Sequence, residues 1–246
     1  MSVHDLGECR IKRKQRFEYL RSPCEHLTVP TSPDLRQGEP RWPAMVALFA
    51  VSALFYALPP ALKVGPDWVF VALVAALTIP AVFMHSPRHV PLARVLGHTA
   101  SGILTLAMIG SLGLLVSRLP LHKESPSELL RAATSLWICN VLIFASWYWR
   151  LDAGGPHQRD LSVCHTDGAF LFPQMTLSRE LRIEMEEDDW KPGFMDYLFL
   201  AFNTSTAFSP TDVPVLSRWA KGLMMIQAII SLTTIALLAA RAVNIL

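Results

Sequence analysis

Charge is scarce in this 246-residue chain: Asp, Glu, Lys and Arg make up 17% of it, and 22 basic against 20 acidic residues leave a formal net charge of +2. So small a surplus, spread over many segments, excludes the basic face that a nucleic-acid binder needs. The first 41 residues hold no apolar run, so no cleaved signal peptide is expected there. Cys9, Cys24, Cys139 and Cys164 form no C-x-x-C pair, which removes the zinc-knuckle and dithiol readings. His157, Asp160, Cys164, His165 and Asp167 gather metal-capable groups, but their spacing matches neither H-E-x-x-H nor C-x-x-C. No internal repeat is visible. Neither enzymatic activity nor a cofactor or metal is expected.

What the chain has is apolar surface: 52% hydrophobic residues and a mean hydropathy of +0.33. That exceeds the usual content of a soluble domain and points to an integral membrane protein. Residues 1–41 form a polar tail whose run Arg10-Ile11-Lys12-Arg13-Lys14-Gln15-Arg16 either rests on anionic headgroups or stays disordered. Residues 42–151 hold four expected spans. The first runs from Trp42 to Leu58, stopping at Pro59-Pro60, and the second from Trp68 to Met84, with a kink at Pro80. The third runs from His98 to Leu119, with Gly102, Gly110 and Gly113 set for close helix approach. The fourth, Leu129 to Trp149, ends in the aromatic belt Trp147-Tyr148-Trp149 backed by Arg150. Asn140, in mid-span, is expected to find a partner on a neighbouring helix, and Cys139 to be a small buried hydrophobe.

Residues 152–193 form a polar loop too long for an ordinary connection. Within it Phe170-Leu171-Phe172-Pro173 is expected to tuck back onto the bundle. Leu181, Ile183 and Met185 alternate as in a strand, and a helix from Ser178 fits nearly as well. The acidic run Glu184, Glu186, Glu187, Asp188 and Asp189 is either a charged vestibule or a solvated segment.

Residues 194–246 hold two apolar segments of unequal length. Trp219 to Ala240 suits a span, whereas Phe194 to Phe208 is short of the roughly 20 helical residues a crossing needs and turns polar at Asn203-Thr204-Ser205-Thr206. Non-helical backbone persists at membrane depth only where it is buried in protein or lines a cavity, so a half-crossing is expected before Ser209-Pro210. Ser209 to Asp212 also fits a helix start, with Ser209 as cap and Pro210 in the first turn. Gln227, Ser231 and Thr234, at i, i+4 and i+7, share one stripe of the last helix, facing either water or another helix.

These residues resemble the pore module of tetrameric potassium channels. Asp196-Tyr197-Leu198-Phe199-Leu200-Ala201-Phe202 looks like the pore helix, Thr204-Ser205-Thr206 like its threonine-rich end, Asp212-Val213-Pro214 like the acidic residue and proline after the filter, and Trp219 to Val243 like the inner helix. The likeness covers about the last fifth of the chain. Where that family has Gly-Tyr-Gly, this chain has Phe208-Ser209-Pro210-Thr211, which cannot take the positive φ angles of a carbonyl ladder, so potassium selectivity is not carried over. The chain also resembles a group of uncharacterised bacterial inner-membrane proteins through Trp149 to Pro156, Phe170 to Gln174 and Ala240 to Leu246.

The resemblance implies a homo-oligomer in lipid that handles inorganic ions, in a bacterial inner membrane; the alternatives are a non-conducting structural or assembly membrane protein and a small-solute transporter, the last without an evident pair of related halves. Thr204, Ser205 and Thr206 would line the constriction, Phe208, Ser209 and Pro210 shape the turn, Asp212 set cation preference, and Gln227, Ser231 and Thr234 line an inner vestibule. The basic tail and Arg88 and Arg94 place the N-terminus and the 152–193 loop inside, whereas a channel module enters from outside; the resemblance is given the greater weight. The expected fold is an all-α polytopic transmembrane bundle of about five spans plus one short re-entrant, or short spanning, helix.

Overall fold

The computed structural model describes residues 39–63, 66, 68–69, 71–76, 90–118, 125–161, 168–185, 187, 190–206 and 213–243, without the side chains of 90, 126, 179 and 241–243. Among these residues the regular structure is helical, with one isolated antiparallel bridge between Phe170 and Val215.

Helix α1 spans Trp42–Ala57, 16 residues with proline in its first turn, and gives way to a 3-10 turn at Pro60–Leu62. Helix α2 is Val90–Arg118 and helix α3 is Pro126–Leu151. The start of α3 is fixed by a capping box: the Ser125 hydroxyl accepts from the Glu128 amide while the Glu128 carboxylate accepts from the Ser125 amide. After a 3-10 turn at Asp152–Gly154 come short helices α4, Pro156–Leu161, and α5, Arg179–Glu184. Helix α6 is Phe194–Thr206, only 13 residues, and α7 is Arg218–Val243, 26 residues.

Three helices, α2, α3 and α7, are long and apolar enough to cross a membrane; α1 is apolar but shorter. Of the second expected span only helical residues 68–69 and 71–76 lie within the described part, and Pro80 lies outside it.

Helix α3 is the hub, packing against α1, α2, α6 and α7. The directions follow from the contacts. Glu39, just before α1, reaches Trp149 and Arg159, while Val51 meets Cys139 further back along α3. Gly97, early in α2, lies under the Arg150 guanidinium. Phe194 at the start of α6 packs on Trp149, and Ser205 near its end meets Asn140. Trp219 at the start of α7 packs on Phe170, Gln227 meets Tyr148, and Ser231 meets Trp137. All four helices therefore begin at the C-terminal end of α3 and run antiparallel to it.

The loop after α3 closes over that end. Phe170 and Phe172 are buried among Tyr148, Tyr197, Trp190 and Trp219, so the expected tuck is found. The alternation at Leu181, Ile183 and Met185 belongs to a helix, not a strand: Ser178 caps α5 by accepting from the Leu181 amide, and a lone strand has no neighbour to pair with. Among the described residues a Cβ on Gly102 or Gly113 would meet nothing within 4 Å, so the expected close approach is not seen at those two; the crowded glycine of α2 is Gly97, where a Cβ would lie 1.9 Å from Arg150 Nη1.

Candidate functional site

The end of α6 is where polar groups converge inside the bundle. At about 1.5 Å per residue, the 13 residues of α6 reach about 20 Å, against a hydrocarbon layer of about 30 Å. Its last turn therefore ends partway along α3 and α7, where unpaired helix carbonyls need donors that lipid does not supply.

The donors to its carbonyls come from α7, and side chains of α3 hold those donors in place. Gln227 Nε2 donates to Ala201 O at 2.7 Å and to Ser205 Oγ at 2.8 Å. Ser231 Oγ donates to Ser205 O at 2.6 Å and accepts from Trp137 Nε1 at 3.2 Å. Tyr148 donates its hydroxyl to Gln227 Oε1, and Asn140 Nδ2 reaches Gln227 O at 3.3 Å and Ser205 Oγ at 3.4 Å. Asn140 Oδ1 is buried with no hydrogen-bond partner among the described residues. Thr234 is buried and donates back to Ile230 O.

Each predicted residue can now be placed. Gln227, Ser231 and Thr234 do share a stripe, and all three are buried at 2% exposure or less. The stripe faces the interior of this one chain, and Gln227 and Ser231 bond to α6. Ser205 is buried in the same cluster, whereas Thr204 is half-buried and bonds back to Leu200 O, and Thr206 is exposed and bonds back to Phe202 O. Phe208, Ser209, Pro210 and Asp212 lie outside the described residues, as do Cys164, His165, Asp167, Glu186, Asp188 and Asp189. Of the metal-capable group, Asp160 accepts from the Glu39 amide at 3.0 Å and faces Arg41 at 3.9 Å. Among the described residues no cluster of three or more His, Cys, Asp or Glu could hold a metal.

Trp137 and Tyr148 escaped the sequence reading because interfacial aromatics look alike whether their polar tips face water or the core. The helical spacing 137, 140, 144, 148 puts them with Asn140 on one face of α3 and was the available signal.

A second cluster, at the C-terminal end of α3, was missed altogether. Arg159 is 3% exposed and donates to Trp149 O at 2.8 Å, to Asp152 O at 3.0 Å and to Glu39 Oε2 at 2.8 Å. Its guanidinium stacks over the Tyr197 ring at 5.1 Å. Asp152 is fully buried and accepts from the Tyr197 hydroxyl at 2.6 Å and from the Ala169 amide. Trp149 Nε1 donates to Glu39. Buried charges persist only when paired and hydrogen-bonded, and here the bonds tie the segment before α1, the helix α4, the loop at Ala169 and α6 to the C-terminal end of α3. The sequence hint was Asp152-Ala153-Gly154-Gly155-Pro156, a left-handed turn with φ of 48°, 75° and 90° at Ala153, Gly154 and Gly155.

No family model matches the chain, and no match is found among characterised proteins or solved structures.

Proposed function

We propose that the protein is a channel-like multi-pass membrane protein, built on a re-entrant hairpin and conducting ions without potassium selectivity. One observation carries the reading: α6 and α7 start at the same end of α3 and run the same way, although only residues 207–217 join them. By Val215 the chain is paired with Phe170, back at the level where α6 began. A helix that enters, stops partway and returns to its own side is the layout of a pore loop.

The same argument supports five spans. Helices α1 and α2 both begin at the C-terminal end of α3, an order that favours the span expected between them. A single half-crossing helix cannot encircle a path, so the reading requires several copies of the chain, with inorganic ions as the conducted species. The hydroxyls at the constriction are then Thr204 and Thr206, and Asp212 sets the preference for cations.

The charge distribution supports one departure from the potassium-channel arrangement. Among the described residues, Arg41, Arg94, Arg150, Arg159, Arg182, Lys191, Arg218 and Lys221 lie at the end where α6 enters, against Lys63, Arg118, Arg131 and Arg241 at the other. By the positive-inside bias the hairpin opens towards the cytoplasm, in a bacterial inner membrane on the resemblance above.

A second reading, a non-conducting structural or assembly protein, is favoured by a different observation: Gln227 and Ser231 already occupy the acceptors at the end of α6. Ion flux into liposomes separates the two. Wild-type flux that loses its cation preference in Asp212→Ala is the expected result; no flux under any gradient or voltage leaves the structural reading. The hairpin is tested separately by single cysteines at Thr206 and Ser217 in a background without native cysteines. Both should react with a membrane-impermeant thiol reagent from the same side, and reaction from opposite sides rules the hairpin out.

A further inference from the structure

The segment that leads into α1 is held by polar contacts. None of residues 39–43 is buried, and the first buried residue of α1 is Ala44. The Glu39 amide donates to Asp160 Oδ1 at 3.0 Å, and Arg41 Nη2 faces Asp160 Oδ2 at 3.9 Å with 41% of the Arg41 side chain exposed. The Glu39 carboxylate accepts from Trp149 Nε1 and, at 2.8 Å, from Arg159 Nη2. A segment held without a buried apolar anchor belongs to the low-stability end of a structure.

Arg159, by contrast, is deep: its side chain is 2% exposed, against 12% for Glu39. It donates to the carbonyls of Trp149 and Asp152 and lies over the Tyr197 ring, in the first turn of α6. Its Nε is buried without a hydrogen-bond partner among the described residues. The Asp152 carboxylate accepts from the Tyr197 hydroxyl and the Ala169 amide, and Asp152 meets Arg159 through its backbone carbonyl. The carboxylate that pairs with Arg159 is that of Glu39, carried by the segment ahead of α1. A buried guanidinium left without its carboxylate is strongly destabilised, and the long arginine stem lets the head move out to water. In moving out it gives up the Tyr197 ring and both carbonyls.

We propose that residues 39–41 form a releasable strap over the base of α6. With Glu39 seated, Arg159 stays inside and pins the first turn of α6; with Glu39 withdrawn, Arg159 leaves and that turn loosens. The placement of the segment ahead of α1 is thereby coupled to the stability of the half-crossing helix through a single buried side chain. The strap is separate from the polar junction at the other end of α6 and does not depend on conduction.

The test is hydrogen exchange, read by mass spectrometry, on the full-length protein in detergent micelles. Glu39→Gln keeps the shape of the side chain and removes its charge. The amides of residues 198–200, whose helical acceptors lie in the first turn of α6, should then exchange at least about tenfold faster, because losing one partner of a buried ion pair exceeds the about 1.4 kcal/mol that a factor of ten represents. Amides around Ile230 in α7 should not change. Arg159→Met should speed the same α6 amides, and adding Glu39→Gln to it should bring no further increase there, since the side chain that carries the coupling is already gone. Thermal midpoints in the same detergent confirm that each variant is folded; if Arg159→Met does not assemble, Glu39→Gln decides alone. No change at residues 198–200 in Glu39→Gln, a rise confined to α1, an equal rise in α6 and α7, or the same increment with and without Arg159 overturns the proposal.

Discussion

Replacing Gln227 by methionine isolates the polar junction at the end of α6 from every other feature of the bundle. Gln227 is fully buried and makes three side-chain hydrogen bonds, accepting from the Tyr148 hydroxyl and donating to Ala201 O and Ser205 Oγ. Methionine keeps the length and volume of the side chain, so little of the effect comes from a cavity. Hydrogen bonds between membrane helices average about 0.6 kcal/mol, so three contribute about 2 kcal/mol. The Tyr148 hydroxyl loses its acceptor in a dry interior, which adds about 1 kcal/mol. Ala201 O keeps its place in the α6 ladder, and Ser205 Oγ keeps Asn140, so neither adds a full penalty. The expected destabilisation is about 3 kcal/mol, read as a shift in the SDS fraction at which the protein unfolds reversibly from mixed micelles. Tyr148→Phe in the same background removes the stranded hydroxyl and shares the lost Tyr148–Gln227 bond, so the double variant should be about 2 kcal/mol less unstable than the sum of the singles. Ile226→Met, on the exposed face of α7, should stay within about 0.5 kcal/mol of wild type. A Gln227→Met effect no larger than that control, or strict additivity with Tyr148→Phe, would refute the reasoning.

Other positions give sharper single readings. Arg159→Met strands the Glu39 carboxylate and uncaps the carbonyls of Trp149 and Asp152, so it should cost about 3–5 kcal/mol in the same unfolding assay. Gly155→Ala places a Cβ 2.8 Å from Arg150 O at a φ of +90°, and should cost about 1–3 kcal/mol by the same measure. Ser125→Ala removes half of the capping box of α3 and should lower stability by about 1 kcal/mol, with hydrogen exchange rising at the first turn of α3 and not at Leu151.

Much of the bundle was legible because hydropathy in a membrane protein reports directly on what lipid tolerates. The third and fourth spans, the shortness of the α6 segment and the burial of Phe170 and Phe172 follow from apolar runs and their breaks. Asn140 was readable for a related reason: an amide at that depth needs a protein partner, and it has Ser205 and Gln227. A small residue permits close approach without causing it: among the described residues nothing lies within 4 Å of a Cβ placed on Gly102 or Gly113, and what crowds Gly97 is a long side chain from another helix. The cluster of Glu39, Arg159, Asp152 and Tyr197 was illegible because its members are far apart in sequence and its charges look like ordinary interfacial ones. Only the folding of the loop over α3 buries them. The facing of the Gln227 stripe lay beyond the pattern too, since spacing fixes which residues share a face but not which neighbour covers it.

That stripe bears on the proposed conduction through the sign of the charge it controls. The C-terminal end of a helix carries about half a negative elementary charge, and α6 ends at a depth where water does not screen it freely. In this chain Gln227 Nε2 and Ser231 Oγ donate into that end. The double variant Gln227→Leu with Ser231→Ala removes both donors, so the last-turn carbonyl Ser205 O loses its side-chain partner while Ala201 O keeps only its place in the α6 ladder. If ions pass close to α6, the more negative end should attract cations and repel anions, so the cation-to-anion permeability ratio should rise by severalfold in planar bilayers while protein stability falls. If the junction is purely structural, stability falls by the same amount and the permeability does not change. A drop in cation preference in a folded double variant would contradict both readings, because no arrangement of the α6 dipole makes an uncapped C-terminus less attractive to a cation.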